Sequence, residues 1–247
     1  MSTPVLNENT FSQNAQYVTA DSIPMTVDGT ILKTVLLMAI LILAGAFSWN
    51  AYATGQMLMA QGLMFGGLIV GFILAIIISF KPTAAPFLSP IYAACEGLAL
   101  GAISSMFEAS YSGIVLQAIA LSLAAMMAML FLYMSRIIKV DNKFRASVMI
   151  ATFAILIVYL ASWILSFFGK SVPYIHESGM IGIGFSLLVV GVASFNFLLD
   201  FDIIERGVQS YAPKYMEWYG GFALLVTLVW LYIEMLKLLS KFASRRN

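Results

Sequence analysis

Acidic side chains interrupt the apolar stretches of this sequence at three places, and these are the residues whose types and spacing could do chemistry. Glu96 lies within "YAACEGLALGAISS", Asp200 and Asp202 end "FNFLLDFD", and Glu234 lies within "WLYIEMLKLL". Desolvation disfavours the charged form of a carboxylate, so an acid is costly in an apolar stretch and its presence there indicates a functional role. Such a group can exchange a proton or hold a cation. The chemistry that these four residues predict is therefore ion or proton binding.

Helical spacing gives the two aspartates different surroundings. Two residues correspond to roughly 200° around a helix, so at most one of Asp200 and Asp202 is expected to face the interior. Asp202 has Arg206 four residues on, which suits an interfacial ion pair. Asp200 has Asn196 four residues before it as a supporting polar residue, which makes Asp200 the interior candidate. The alternative is that both aspartates and Glu205 only mark a helix end in water.

Glu96 and Glu234 differ in the charges near them along the chain. Glu96 lies about ten residues into its stretch, roughly 15 Å deep by helical rise. Its alternative role is a neutral acid that hydrogen-bonds a neighbouring helix. Glu234 has Lys237 and Lys241 three and seven residues on, so its alternative role is an ion pair near the membrane interface. Thr227 is expected at a depth similar to that of Glu96, with both residues facing one cavity.

The composition places all of these residues in a membrane protein. Of 247 residues, 61% are hydrophobic and only 10% are charged, whereas soluble domains are about 25% charged. Continuous apolar runs of about 20 residues have the length that a helix needs to cross the bilayer, and they lack the alternation of a membrane barrel. The prediction is an all-α polytopic membrane protein with seven transmembrane helices, at residues 34–53, 57–80, 86–107, 113–135, 147–168, 178–201 and 215–239.

The domain organisation follows from the same pattern. Residues 1–30 are predicted to form a flexible polar tail, residues 31–241 a single seven-helix domain, and residues 242–247 a basic C-terminal tail. With seven spans, eight Lys and Arg residues collect on the side of the N-terminus and five on the other side. This predicts a cytoplasmic N-terminus and an external C-terminus. A re-entrant last segment, which the basic C-terminal end favours, would instead put both ends in the cytoplasm.

Other function classes find little support in the sequence. The single cysteine, Cys95, provides neither a disulfide framework nor a metal-binding cluster, and the net charge of +1 indicates no nucleic-acid partner. His176 is the only histidine, and no catalytic triad, metal-ligand spacing or phosphate-binding loop accompanies it. We therefore predict a protein that is not an enzyme and has no cofactor, with Ca²⁺ or H⁺ as permeant or regulatory ions and the lipid bilayer as its surroundings.

Taken together, the segments resemble the Bax inhibitor-1 (transmembrane Bax inhibitor motif) superfamily in its bacterial, YccA-like branch. The resemblance rests on the order of segments, on "LLDFDIIERG" at the end of the sixth, and on "YGGFALLVTLVWLYIEMLKLLSKF" as the seventh. It implies six helices packed around a central seventh, in the cell inner (plasma) membrane. It also implies pH-sensitive calcium leak, as in characterised members, or interaction with a membrane-bound quality-control protease, as in some bacterial members.

The family's best-known site is a pair of aspartates, one near the end of the sixth segment and one in the seventh. The resemblance maps Asp200 to the first, with Asp202 as the alternative register, and places Thr227 where the second would stand. A segment-two arginine of some members is also missing. Two close carboxylates would share a proton, so Glu96 is the candidate to supply the missing acid. The predicted function is a pH-sensitive cation leak channel or an H⁺/Ca²⁺ sensor. The alternative is a non-conducting regulator of a membrane partner.

Overall fold

The computed structural model describes residues 24–168 and 179–246, so most of the predicted N-terminal tail and the loop with His176 lie outside the described residues. Within these ranges the chain forms seven α-helices, each long and apolar enough to cross a membrane. The only pairing of extended backbone in the same ranges is an isolated bridge between Pro24 and Pro213. The predicted all-α membrane fold with seven transmembrane helices is confirmed. The helices are α1 Val27–Ala53, α2 Met57–Phe80, α3 Ala85–Ser110, α4 Ile114–Met134, α5 Asn142–Phe167, α6 Met180–Gln209 and α7 Met216–Arg246.

Helix α1 begins earlier than its hydropathy indicates. Thr26 is its N-cap, and the threonine hydroxyl accepts a hydrogen bond from the Gly29 N–H at 2.9 Å. A capped first turn needs no apolar residues, which is why hydropathy misses it. The first helix therefore starts at Val27 rather than residue 34, and residues 27–30 of the predicted tail are helical.

The C-terminal ends of α6 and α7 also extend beyond the apolar segments. Helix α6 continues to Gln209 rather than ending at residue 201, so Asp200 and Asp202 lie inside a helix and not at its end. Helix α7 continues to Arg246, so most of the predicted basic tail, residues 242–246, is helical. Hydropathy identifies residues that are stable in hydrocarbon and not the helix itself, so it does not predict the polar ends of these helices.

The described residues form two compact units, which share helices α6 and α7. The first unit consists of residues 24–110 with residues 200–229. Within it, glycines let α1 and α3 approach closely: a side chain at Gly101 would overlap the Gly45 carbonyl, and one at Gly97 would overlap the Leu41 carbonyl. Small residues of this kind are typical of contacts between transmembrane helices.

The second unit consists of residues 111–199, apart from the undescribed segment, with residues 230–246. Val148, Met149 and Leu199 form a buried cluster there. The Phe144 and Phe195 rings meet edge to face beside it, with centroids 5.9 Å apart. Helix α7, which contributes to both units, has the most buried membrane-spanning window of the seven helices, at 67%. High burial is what the resemblance implies for the seventh helix.

Candidate functional site

Asp200 and Thr227 contact each other directly in the first unit. Asp200 is 2% exposed and Thr227 is 8% exposed. The Thr227 hydroxyl on α7 donates a hydrogen bond of 2.6 Å to Oδ2 of Asp200 on α6. This length lies within the usual range of a hydrogen bond between a hydroxyl and a carboxyl oxygen. The contact joins two residues that lie 27 positions apart in the sequence.

A carboxylate with a hydroxyl partner behaves differently from two carboxylates. Two acids at contact distance share one proton and titrate as a unit. A threonine hydroxyl instead donates to the ionised form of a single acid, and it can accept from the protonated form. The contact between Asp200 and Thr227 therefore exists in both protonation states, with a stronger hydrogen bond when Asp200 is charged. The pair joins α6 to α7 through a single titratable group.

Asp202 lies close to Asp200 in the chain but has a different partner. Its Oδ2 atom accepts from Nε of Arg206 at 3.0 Å, which confirms the predicted pair at a spacing of four residues. The Arg206 side chain is 48% exposed and reaches outward. Asp202 itself is 8% exposed. Both aspartates are therefore buried, and they differ in their partners: Asp200 contacts a hydroxyl on α7, whereas Asp202 contacts a half-exposed arginine on its own helix.

Glu96 is half-buried on α3, next to α2 of the first unit. Its carboxylate is hydrogen-bonded to Tyr92, one turn earlier. Gly71 on α2 leaves room for it, because a Cβ atom at Gly71 would lie only 2.9 Å from Oε1 of Glu96. The Tyr92 ring contacts Phe222 of α7 edge-on at 4.9 Å between centroids. These contacts bring α3 beside α7, and a cavity shared by Glu96 and Thr227 stays a prediction.

Glu234 and Asn196 belong to the second unit. Glu234 is 1% exposed, and its two carboxylate oxygens accept hydrogen bonds from Tyr159 at 2.8 Å and from Lys237 at 2.9 Å. The predicted pair of Glu234 with Lys237 is present. Asn196, which helical spacing places on the same face of α6 as Asp200, donates a hydrogen bond to the Thr152 hydroxyl at 2.9 Å.

Comparison with known proteins identifies the family. A family model described as "Bax inhibitor 1 like" matches residues 3–244. The chain belongs to the Bax inhibitor 1 like family. No curated protein and no solved structure matches it. Family membership and the seven apolar helices together establish a multi-pass membrane protein within a lipid bilayer.

Sequence reasoning on this Bax inhibitor 1 like protein missed two buried charged residues, Glu217 and Arg145, which are 2% and 4% exposed. Glu217 lies in the first turn of α7, where the helix dipole favours an acid. Its Oε1 atom accepts hydrogen bonds from the backbone N–H and the hydroxyl of Thr26, both at 3.1 Å. A Cβ atom at Gly29 would overlap the Glu217 carboxylate. The position of Glu217 at the start of a helix could have indicated its role. Arg145 follows other basic residues in a polar segment, and nothing in that pattern indicates that it is buried.

The described residues contain no group of three or more His, Cys, Asp or Glu side chains that could hold a metal ion. The buried carboxylates Asp200, Asp202, Glu217 and Glu234 instead each have a hydrogen-bonding or ionic partner. Of the sequence-predicted residues, the structure brings together Asp200 and Thr227 in the first unit, where Glu96 also lies. It places Glu234 and Asn196 in the second unit. The Asp200 and Thr227 pair is therefore the candidate functional site.

Proposed function

We propose that this Bax inhibitor 1 like protein is a pH-sensitive cation leak protein, with Ca²⁺ among its permeant ions and Asp200 as its proton-sensing group. The observation that supports this proposal is the buried 2.6 Å hydrogen bond between Thr227 and Asp200. It connects two membrane-spanning helices through a group whose charge depends on pH. A change in that charge alters the strength of a contact between helices, which is the requirement for a pH-controlled path.

Protonation of Asp200 weakens the contact. A hydrogen bond to a charged group contributes about 1.5–3 kcal/mol, compared with about 0.5–1.5 kcal/mol between neutral groups. A difference of about 1.4 kcal/mol changes a two-state equilibrium tenfold. Acidification therefore favours separation of α6 from α7 at this level, and the proposed leak increases as the pH falls.

Glu96 has a supporting role in this proposal. It lies on α3 in the same unit as Asp200, and it is hydrogen-bonded to Tyr92, whose ring packs against Phe222 of α7. A carboxylate here offers a second oxygen-rich position to a cation moving past Asp200. We expect Glu96→Gln to lower the rate of calcium flux while leaving its pH dependence in place.

The proposal is tested by calcium flux into liposomes that contain the full-length protein, measured between pH 5.5 and pH 8. Wild type is expected to conduct more at the acidic end. Asp200→Asn, which mimics the protonated acid, is expected to conduct at all of these pH values with little pH dependence. Asp28→Asn, the same change at an exposed position, is the matched control and should behave as wild type. If the flux through Asp200→Asn depends on pH as strongly as the flux through wild type does, Asp200 has no part in the mechanism.

A non-conducting regulator is the second candidate function. The observation that favours it is that four buried carboxylates have protein partners within hydrogen-bonding distance, as a closed bundle without ions requires: Asp200 with Thr227, Asp202 with Arg206, Glu217 with Thr26, and Glu234 with Tyr159. Under this proposal the protein binds a membrane partner, such as a quality-control protease. Absence of flux at every pH, together with cross-linking to such a partner in native membranes, would favour regulation over conduction.

A further inference from the structure

A short extended segment before α1 lies on the turn between α6 and α7. Pro24 and Pro213 form an antiparallel bridge, and beside it the Met25 N–H donates a hydrogen bond to the Ala212 carbonyl at 2.8 Å. Met25 is only 1% exposed. Pairing through backbone groups requires no particular side chains, so neither hydropathy nor helical period indicates it. Residues 24–26 are thus an integral part of the first unit.

The last residue of this segment connects it to α7. Oε1 of Glu217, in the first turn of α7, accepts hydrogen bonds from the N–H and the hydroxyl of Thr26, both at 3.1 Å. Thr26 is also the N-cap of α1, so the carboxylate lies at the N-terminal ends of two helices, where both dipoles favour a negative charge. Gly29 leaves the space that this carboxylate occupies. The contacts of residues 24–26 with the α6–α7 turn and with Glu217 form a clasp between the starts of α1 and α7.

One glycine on α7 connects the clasp to the contact between Asp200 and Thr227. A Cβ atom at Gly220 would lie 3.0 Å from Cγ2 of Thr30 on α1 and 3.2 Å from Cγ1 of Ile204 on α6. Ile204 follows Asp200 by about one helical turn. Helices α1, α6 and α7 therefore meet between the clasp and the candidate site, all within the first unit. Because packed interiors have few voids, a shift of the start of α7 relative to α1 changes the contact of α7 with α6 beside Asp200.

We propose that the clasp holds α7 in the position where Thr227 reaches Asp200, and that opening of the clasp precedes opening of the leak. This inference rests on the function proposed above and makes Glu217 a positioning residue for it. With the clasp closed, α7 is held against α1 and the end of α6. With the clasp open, the start of α7 moves away from α6, and the hydrogen bond between Thr227 and Asp200 is lost. A hydrogen bond to a charged group corresponds to about tenfold or more in a two-state equilibrium, so the two bonds to Glu217 are sufficient to govern this movement.

The first test closes the clasp covalently in the full-length protein. Pro24 and Pro213 are bridge partners without a hydrogen bond between them, since proline has no N–H, and such partners have Cα atoms about 4.5 Å apart, within the range that a disulfide spans. Pro24→Cys with Pro213→Cys, in a background where Cys95 is replaced by alanine, is expected to form a disulfide on oxidation. Calcium flux into liposomes at pH 5.5 should then fall about tenfold and return on reduction. The two single-cysteine variants are the matched controls and should not respond to oxidation.

The second test measures stability at pH 8 and needs no flux. Glu217 and Thr227 lie about 15 Å apart along α7, a distance at which substitutions usually act independently. If the clasp positions Thr227, Thr227→Val should lower the folding equilibrium constant about tenfold in the wild-type background but less than about threefold in Glu217→Ala. Asp141→Ala is the matched control, because Asp141 caps α5 in the second unit by accepting from the Phe144 N–H at 2.7 Å. Thr227→Val should keep its full effect in that background.

The outcomes distinguish the clasp from the leak. Equal flux through the oxidised and reduced forms, beside wild-type flux that depends on pH, would overturn the clasp and leave the proposed function in place. An equal effect of Thr227→Val with and without Glu217, or a cysteine pair that forms no disulfide, would also overturn the clasp. Absence of flux from wild type at every pH would overturn the leak, and the stability measurement would then decide by itself whether the clasp positions Thr227.

Discussion

Replacing Thr227 with valine is the most informative perturbation of the candidate site. Valine has nearly the shape of threonine but no hydroxyl, so the substitution removes the donor to Asp200 and leaves the packing between α6 and α7 almost unchanged. Asp200 is 2% exposed, so water cannot readily replace the lost donor. The effect of the substitution is therefore the contribution of one hydrogen bond in one environment.

The magnitude follows from the 2.6 Å distance between the Thr227 hydroxyl and the Asp200 carboxylate. Hydrogen bonds to charged groups contribute about 1.5–3 kcal/mol. Hydrogen bonds between helices in a membrane average about 0.6 kcal/mol. We expect a coupling free energy between the two side chains of about 1.5–3 kcal/mol where Asp200 is ionised. Acidification should lower it toward about 0.6 kcal/mol, because protonation removes the charge that strengthens the bond.

The assay is a double-mutant cycle of Thr227→Val and Asp200→Ala, each of which removes the hydrogen bond, with the free energy of unfolding measured in mixed micelles at pH 8 and again at pH 5.5. Thr34→Val is the matched control. Thr34 is also 8% exposed, but its hydroxyl donates only along its own helix, to the Thr30 carbonyl at 2.9 Å. Thr34→Val should destabilise the protein less than Thr227→Val does at pH 8.

Two results would refute the reasoning. One is a coupling below about 0.6 kcal/mol at both pH values, which would mean that Asp200 and Thr227 contribute no more than an average polar contact. The other is a coupling that increases on acidification, because the neutral acid would then be the form that the site stabilises. Either result would also remove the physical basis for proton control by this pair.

Three further substitutions test the packing and polar contacts described above, each by thermal unfolding in the same micelles. Gly29→Ala should destabilise the protein by about 1–3 kcal/mol, because the new methyl group would displace the Glu217 carboxylate from its hydrogen bonds with Thr26; no loss would mean that this carboxylate moves without losing stability. Gly62→Ala, with nothing within 4 Å of an added Cβ atom, should instead be neutral or stabilising by up to about 1 kcal/mol, since alanine is the better helix former. Tyr159→Phe should destabilise by about 1 kcal/mol through loss of its 2.8 Å bond to Glu234, and an unchanged midpoint would show that Lys237 alone satisfies this acid.

The contacts that the sequence predicts correctly are those between neighbours on one helix. Asp202 with Arg206 and Glu234 with Lys237 are spaced by four and three residues, so helical geometry alone brings them together. The seven helices are predictable for a similar reason. A chain that crosses hydrocarbon must satisfy its backbone hydrogen bonds within each segment, so a long apolar run implies a helix whatever its neighbours are. Hydropathy and helical period thus determine the membrane-spanning segments and the local ion pairs.

The tertiary structure alone decides which distant residues meet. Thr227 donates to Asp200 across 27 positions of sequence, Tyr159 to Glu234 across 75, and Thr26 to Glu217 across 191. Helical periodicity does not predict these contacts, because they depend on which helix faces pack together and on where small residues allow close approach. For the same reason burial of both aspartates on α6 could not be deduced from their helical phase. The sequence identifies the carboxylates that lie in apolar segments, and the packing of the helices determines which residue each of them contacts.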